Sequence, residues 1–206
     1  AKNYSDELLS DMRRRRMIEE FFSNSGRLTK GIEHLNRLDK TPKFIKGMIG
    51  RIITSRQKKA HFGQVVPIEE IEQIFGFVSS IVRVACLCRK ATLNKEKRYC
   101  YGVSMSTNGG QFAKIVQGLD KSFLTGPDMS GLETLSKEQA ISAFRDHERE
   151  GLCHTVWTFQ SPFIGGICNC DRSDCLAMRC TVTHSIPVMF RAEYIAQVDP
   201  DACLGC

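Results

Sequence analysis

Two C-x-C pairs, each with a cysteine trailing behind it, constrain this chain more than any other feature. Cys86 and Cys88 stand in "CLCR" with Cys100 downstream, and Cys168 and Cys170 stand in "ICNC" with Cys175 and Cys180 downstream. A lone buried cysteine is most often a small hydrophobe; a repeated paired pattern is not explained that way. A disulfide inside C-x-C is strained, because the preferred S–S torsion is hard to reach across three residues. The pairs are therefore expected to stay as thiols or to bind metal. Residues i and i+2 of a strand share a face, so each pair can present two thiols to one ligand.

The rest of the chain does not need these cysteines to hold its fold. With 206 residues and 42% apolar residues it can bury a core without covalent staples. Ten cysteines are too sparse for a disulfide scaffold, and no signal-peptide pattern opens the sequence. The expected compartment is reducing and cytoplasmic, which moves the weight towards metal or redox chemistry. The longest apolar run, "FGFVSSIVRVACLC", is too short and mixed for a membrane span.

The charge is uneven. The chain carries +6 overall, yet residues 1–66 hold 15 Lys and Arg against 7 Asp and Glu, while the remainder is slightly acidic. An asymmetry of this kind points to an anionic partner for the first third. "SDELLSDMRRRRMIEEFF" reads as a helix exposed on most sides, since four consecutive Arg cannot share one face. A second helical piece is expected over 31–38. Thr41 and Pro42 mark the start of a third, "TPKFIKGMIGRIITSRQKK", a basic amphipathic helix with Phe44, Ile45, Met48, Ile49, Ile52 and Ile53 at helical spacing. Such a helix docks on its own domain, grips an acidic partner or lies on an anionic membrane surface, the last through 41–59.

From residue 67 the pattern becomes α plus β. Pro67 opens a helix. "IVRVACL" reads as a strand carrying Cys86 at its end, and "RYCYGVSM" as its neighbour. Asn108 can cap a helix through Leu119. Ser136 and Gln139 form a capping box whose helix stops at Gly151, and "LCHTVWTF" follows as a strand. Cys153 on that strand is expected in the core and His154 on the opposite face. The fold class is α+β: a basic helical region over 1–66, a compact α/β domain with short cysteine-bearing strands over 67–192, and a tail over 193–206.

That tail, "VDPDACLGC", places Cys203 and Cys206 with two residues between them. It resembles the entry to the bacterial-type ferredoxin motif, C-x-x-C-x-x-C-x-x-x-C-P. The C-x-C-R and I-C-N-C segments also resemble, more loosely, stretches found upstream of the ferredoxin domain in some ferredoxin-domain proteins. What the resemblance implies is a cysteine-ligated iron–sulfur centre, most simply 4Fe-4S, in a piece of a longer iron–sulfur protein. The candidate ligands are Cys86, Cys88, Cys100, Cys168, Cys170, Cys175, Cys203 and Cys206. Arg89, Arg172 and Arg179 lie beside them in sequence and would offset thiolate charge.

The function expected is electron transfer, alone or within an oxidoreductase complex, with an acidic redox partner protein. No P-loop, dinucleotide fingerprint or Ser-His-Asp array names a substrate. The rival is a zinc-stabilised winged-helix regulator that binds nucleic acid, because helix, glycine and strand around Gly151 resemble a winged-helix unit. Against it, "SKEQAISAFRDHERE" carries more acid than base, so nucleic acid is not the expected partner.

Overall fold

The computed structural model describes residues 25–93, 97–105, 133–159 and 164–205, with Met12, Arg16, Glu19 and Glu20, which are helical. The rest of the expected helix over 5–22 and the helix expected after Asn108 lie outside the described residues. The elements run α1 (Ser25–Leu38), α2 (Lys43–Ala60), β1 (Gly63–Val65), α3 (Ile68–Phe77), β2 (Ser80–Val84), α4 (Leu87–Leu93), β3 (Cys100–Ser104), β4 (Glu133–Leu135), α5 (Lys137–Arg149), β5 (Cys153–Thr158), β6 (Ile164–Cys170) and the short α6 (Leu176–Met178), which passes into a π-helical turn over Arg179–Thr183. The fold is α+β, as the alternation of patterns predicts.

All six strands form one sheet in the order β1-β5-β6-β3-β2-β4, every neighbouring pair antiparallel. Its register sorts the side chains by parity. Tyr101 pairs with Ile167, and Arg83 with Tyr101, so Ile81, Tyr101, Ile167 and Val156 share one face. Cys100 pairs with Cys168, and Cys168 with Thr155, so both thiols share the other face with Cys170 and Trp157.

The first face is covered by α3 and α5. In α3 the buried residues are Ile68, Ile71 and Phe75, at helical spacing. In α5 they are Ala140, Phe144 and His147. The two helices meet edge to face at Phe75 and Phe144, ring centres 5.2 Å apart, over Ile81, Tyr101 and Ile167. The capping box is present: the Gln139 amide N–H donates to Ser136 Oγ at 3.2 Å, and the Ser136 amide N–H donates to Gln139 Oε1 at 2.8 Å. Gly151, at φ 80°, then turns the chain into β5 with a backbone that a side chain would strain.

The second face is covered by α1, α2, α6 and the segment after it. Leu38, Phe62, Trp157, Met178, Ile186, Val188 and Met189 form its core with Cys170 and Cys175. Residues on both sides of position 66 share this cluster, and β1 pairs with β5, so the chain before 66 is built into the same sheet and core.

Three local expectations change. Thr41 does not cap α2; its hydroxyl donates back to the Leu38 carbonyl at 2.7 Å and closes α1, leaving Pro42 before the first helical residue. The apolar stripe of α2 divides: Ile49 and Ile53 pack on the core, whereas Phe44, Met48 and Ile52 face outward, 77%, 53% and 50% exposed. Cys153 is exposed rather than in the core. Among the described residues, no helix is long and apolar enough to cross a membrane.

A candidate cysteine centre

Six cysteines from four parts of the chain meet on the second face of the sheet. Cys168 and Cys170 come from the end of β6 and Cys100 from the start of β3. Cys86 lies just after β2 and Cys88 in the first turn of α4. The Cys86 carbonyl accepts from the Lys90 amide at 3.0 Å, so a helix begins where a strand was expected to continue. The pair therefore does not present both thiols by strand alternation; the helical turn separates them. Cys175 stands immediately before α6.

The thiols fall into two trios. Cys100 and Cys168 have their sulfurs 3.1 Å apart, and Cys86 hydrogen-bonds with Cys100. Cys170 and Cys175 have theirs 3.2 Å apart, and Cys88 hydrogen-bonds with Cys175. Each C-x-C thus contributes one thiol to each trio, and the trailing cysteines, Cys100 and Cys175, are the thiols that join them. None of the six is in a disulfide.

Their electrostatics are uneven. Hydrogen bonding from Cys100 brings the Cys86 thiol down to about 7 against the opposing effect of burial, with the Arg89 amide and guanidinium assisting. Cys175 is held well below the ordinary thiol range by hydrogen bonds from Cys170 and Cys88, and further by the Ala177 and Met178 amides at the start of α6. Cys88, Cys100 and Cys170 are pushed well up, since their protons are held in those hydrogen bonds and their surroundings are buried. Each trio therefore contains one thiol biased towards thiolate and at least one thiol placed to donate to it.

Arg89 is the cation of the site. Its side chain is 3% exposed and its guanidinium carbon lies 4.4 Å from the centre of the Tyr99 ring. Nη1 donates to the Asn169 carbonyl at 3.0 Å and points at Cys86 Sγ from 3.6 Å, while Nη2 pairs with Asp171. Arg172 is exposed, and Arg179 lies beside Cys180, whose thiol burial pushes up to about 11. Among the described residues, neither arginine hydrogen-bonds to a thiol of the trios. Cys203 is exposed in a turn closed by its amide on the Asp199 carbonyl, and Cys206 lies outside the described residues.

Neighbours that the motifs did not reveal complete the setting. Thr155 Oγ1 sits 3.4 Å from Cys170 Sγ, donates to the Cys168 carbonyl and accepts from the Trp157 indole N–H at 2.9 Å. Asn169, fully buried, faces away from the thiols, where its Oδ1 lies 2.6 Å from His154 Nδ1. His154 packs on Phe144 at 5.0 Å on the apolar face, so it belongs to the fold and stands apart from the thiols. The signal for Thr155 and Asn169 is the strand register: only once Thr155 is aligned with Cys168 does either acquire a side. A small apolar cavity of about 50 Å³ adjoins Cys100 and Cys168 beneath His61, Trp157 and Phe159.

Among the described residues, no three His, Cys, Asp or Glu are set as a preformed site for a single metal ion. The sulfurs are in mutual contact, closer than the roughly 3.8 Å edge of a tetrahedron with metal–sulfur bonds of about 2.3 Å. The donor chemistry suits a thiolate-bound centre all the same: six unoxidised thiols, two of them already biased to thiolate, with a buried guanidinium against the first. No protein-family model, curated protein or solved structure matches this chain.

Proposed function

We propose that the six-thiol nest holds an iron–sulfur centre and that the protein transfers electrons, by itself or as part of an oxidoreductase complex. The observation that carries this reading is the convergence of Cys86, Cys88, Cys100, Cys168, Cys170 and Cys175, with buried Arg89 against Cys86. Any four of the six thiolates are enough for a 4Fe-4S centre. An iron–sulfur centre would supply one-electron chemistry. The chain's own residues do the rest: Arg89 offsets thiolate charge, the Ala177 and Met178 amides donate towards Cys175, and Trp157, Phe62 and Met178 keep water from this side of the sheet.

Anaerobic incubation with ferrous iron and sulfide tests the reading. The expected product is brown, with a broad visible absorption that dithionite bleaches and with iron and acid-labile sulfide in equal amounts. A colourless product that retains zinc instead contradicts it and favours the structural-zinc alternative.

A further inference from the structure

The exposed side of α2 carries a second feature, remote in kind from the thiol chemistry and independent of the proposal above. This helix has 18 residues with six cations, Lys43, Lys46, Arg51, Arg56, Lys58 and Lys59, and no acid. Phe44, Met48 and Ile52 follow one another at i, i+4 and i+8 along its outer surface, a row about 12 Å long at 1.5 Å per residue, with no part of the described chain covering them.

Beside this row runs a groove of about 700 Å³, walled by Lys43, Arg51 and Lys58 on one side and by Ser185 and Pro187 on the other. Gly47 and Gly50 form its floor; a Cβ at Gly47 would meet nothing within 4 Å, so the absence of side chains there leaves the groove open. Three hydroxyls, from Thr54, Ser55 and Ser185, line it. The Thr54 hydroxyl is buried and has no hydrogen-bond partner among the described residues. A buried donor without a partner is costly, and this one belongs to a residue lining a groove whose charged groups are all cations. Ser185 holds a left-handed backbone, φ 57°, at the same wall. Lys46 is engaged by Asp39 at 2.5 Å, whereas Lys43 and Arg51 have no ion pair among the described residues.

We propose that α2 and this groove dock on an anionic phospholipid surface, the groove taking a headgroup phosphate and the Phe44, Met48 and Ile52 row entering the acyl boundary. The groove alone would suit any phosphate. The apolar row next to it is what selects a membrane: a soluble phosphate leaves those three side chains in water, whereas a bilayer surface satisfies the cations and the apolar row together. Because the helix is anchored through Ile49 and Ile53, its outer side is presented without any rearrangement of the core.

Co-sedimentation with vesicles of phosphatidylglycerol and phosphatidylcholine tests this, against vesicles of phosphatidylcholine alone. The protein is expected to pellet with the anionic vesicles only, and less as salt rises. Phe44→Ser, Met48→Ser and Ile52→Ser together should lower partition at least about tenfold, and Lys43→Gln with Arg51→Gln about tenfold. The melting temperature should stay unchanged in both, since all five side chains are exposed. Absence of binding to anionic vesicles at low salt overturns the proposal. So does binding that the charge variant abolishes and the apolar variant leaves intact, which is adsorption without insertion. Tight binding of inorganic phosphate by protein that ignores vesicles overturns it too, and assigns the groove to a soluble anion.

Discussion

The guanidinium of Arg89 lies with Nη1 3.6 Å from the sulfur of Cys86, three residues before it. Helix α4 sets this approach, because its first turn brings position 89 back over position 86. Arg89→Gln should move the Cys86 thiol from about 7 towards the ordinary range. A thiolate absorbance titration of metal-free protein reads this directly. An unchanged titration in the variant would show that Arg89 does not set the thiolate.

Asp171 is the carboxylate that balances the same guanidinium, and its own proton affinity is lowered by the Asp174 amide and by Arg89 against the effect of burial. Asp171→Asn leaves a buried cation without its counter-charge, a loss of roughly 3 kcal/mol. Denaturant unfolding at neutral pH measures it. A loss within about 0.5 kcal/mol, the scale of an exposed pair, would mean that Arg89 is compensated by the Asn169 carbonyl and Cys86 alone.

His61 supplies a pH dependence with a definite sign. Burial lowers its pKa from the usual 6.5 to about 4, opposed by its hydrogen bond with the Thr158 carbonyl, Nδ1 to oxygen 2.7 Å. The folded state therefore binds its proton less readily than the unfolded state. Its contribution to stability is complete above pH 6.5 and is lost as pH falls through 4. The melting temperature should decline across that window in the native protein and decline less in His61→Phe, whose ring preserves the stack on Trp157 at 4.8 Å. Parallel curves for the two proteins would remove His61 as the cause.

Gly165 tests the packing over the small cavity. A Cβ there would lie 2.5 Å from the Phe159 ring, closer than any side chain tolerates. Gly165→Ala should cost about 1–3 kcal/mol, whereas Gly47→Ala, with nothing in reach of the new methyl, should not destabilise. Thermal unfolding of the pair separates a packed position from an open one.

What the sequence disclosed and what it withheld follow the range of the forces involved. Local signals carried: the Ser136 and Gln139 capping box, the Gly151 stop, and the pairing of the strand around Tyr101 with the strand around Val82 depend on residues close in the chain. The cysteine spacing picked out all six thiols of the nest. It did not reveal that Cys100 sits at the middle of one trio, which follows from the antiparallel register of β3 and β6, or that Cys88 sits on a helix, which follows from the early start of α4. Nor could the pattern of α2 tell Ile49 and Ile53 from Phe44, Met48 and Ile52. All five are apolar at helical spacing, and only the position of the core on the second face of the sheet decides which side is covered.

Electron paramagnetic resonance of the anaerobically reconstituted, dithionite-reduced protein tests the central claim most directly. With one iron–sulfur centre held by thiols from both C-x-C pairs, the native protein should give a reduced-cluster signal that Cys88→Ser and Cys170→Ser each diminish, while Cys203→Ser, exposed in the turn closed on the Asp199 carbonyl, leaves it intact. A native protein that binds no iron and gives no signal under these conditions, or a signal untouched by both nest variants, would contradict the account.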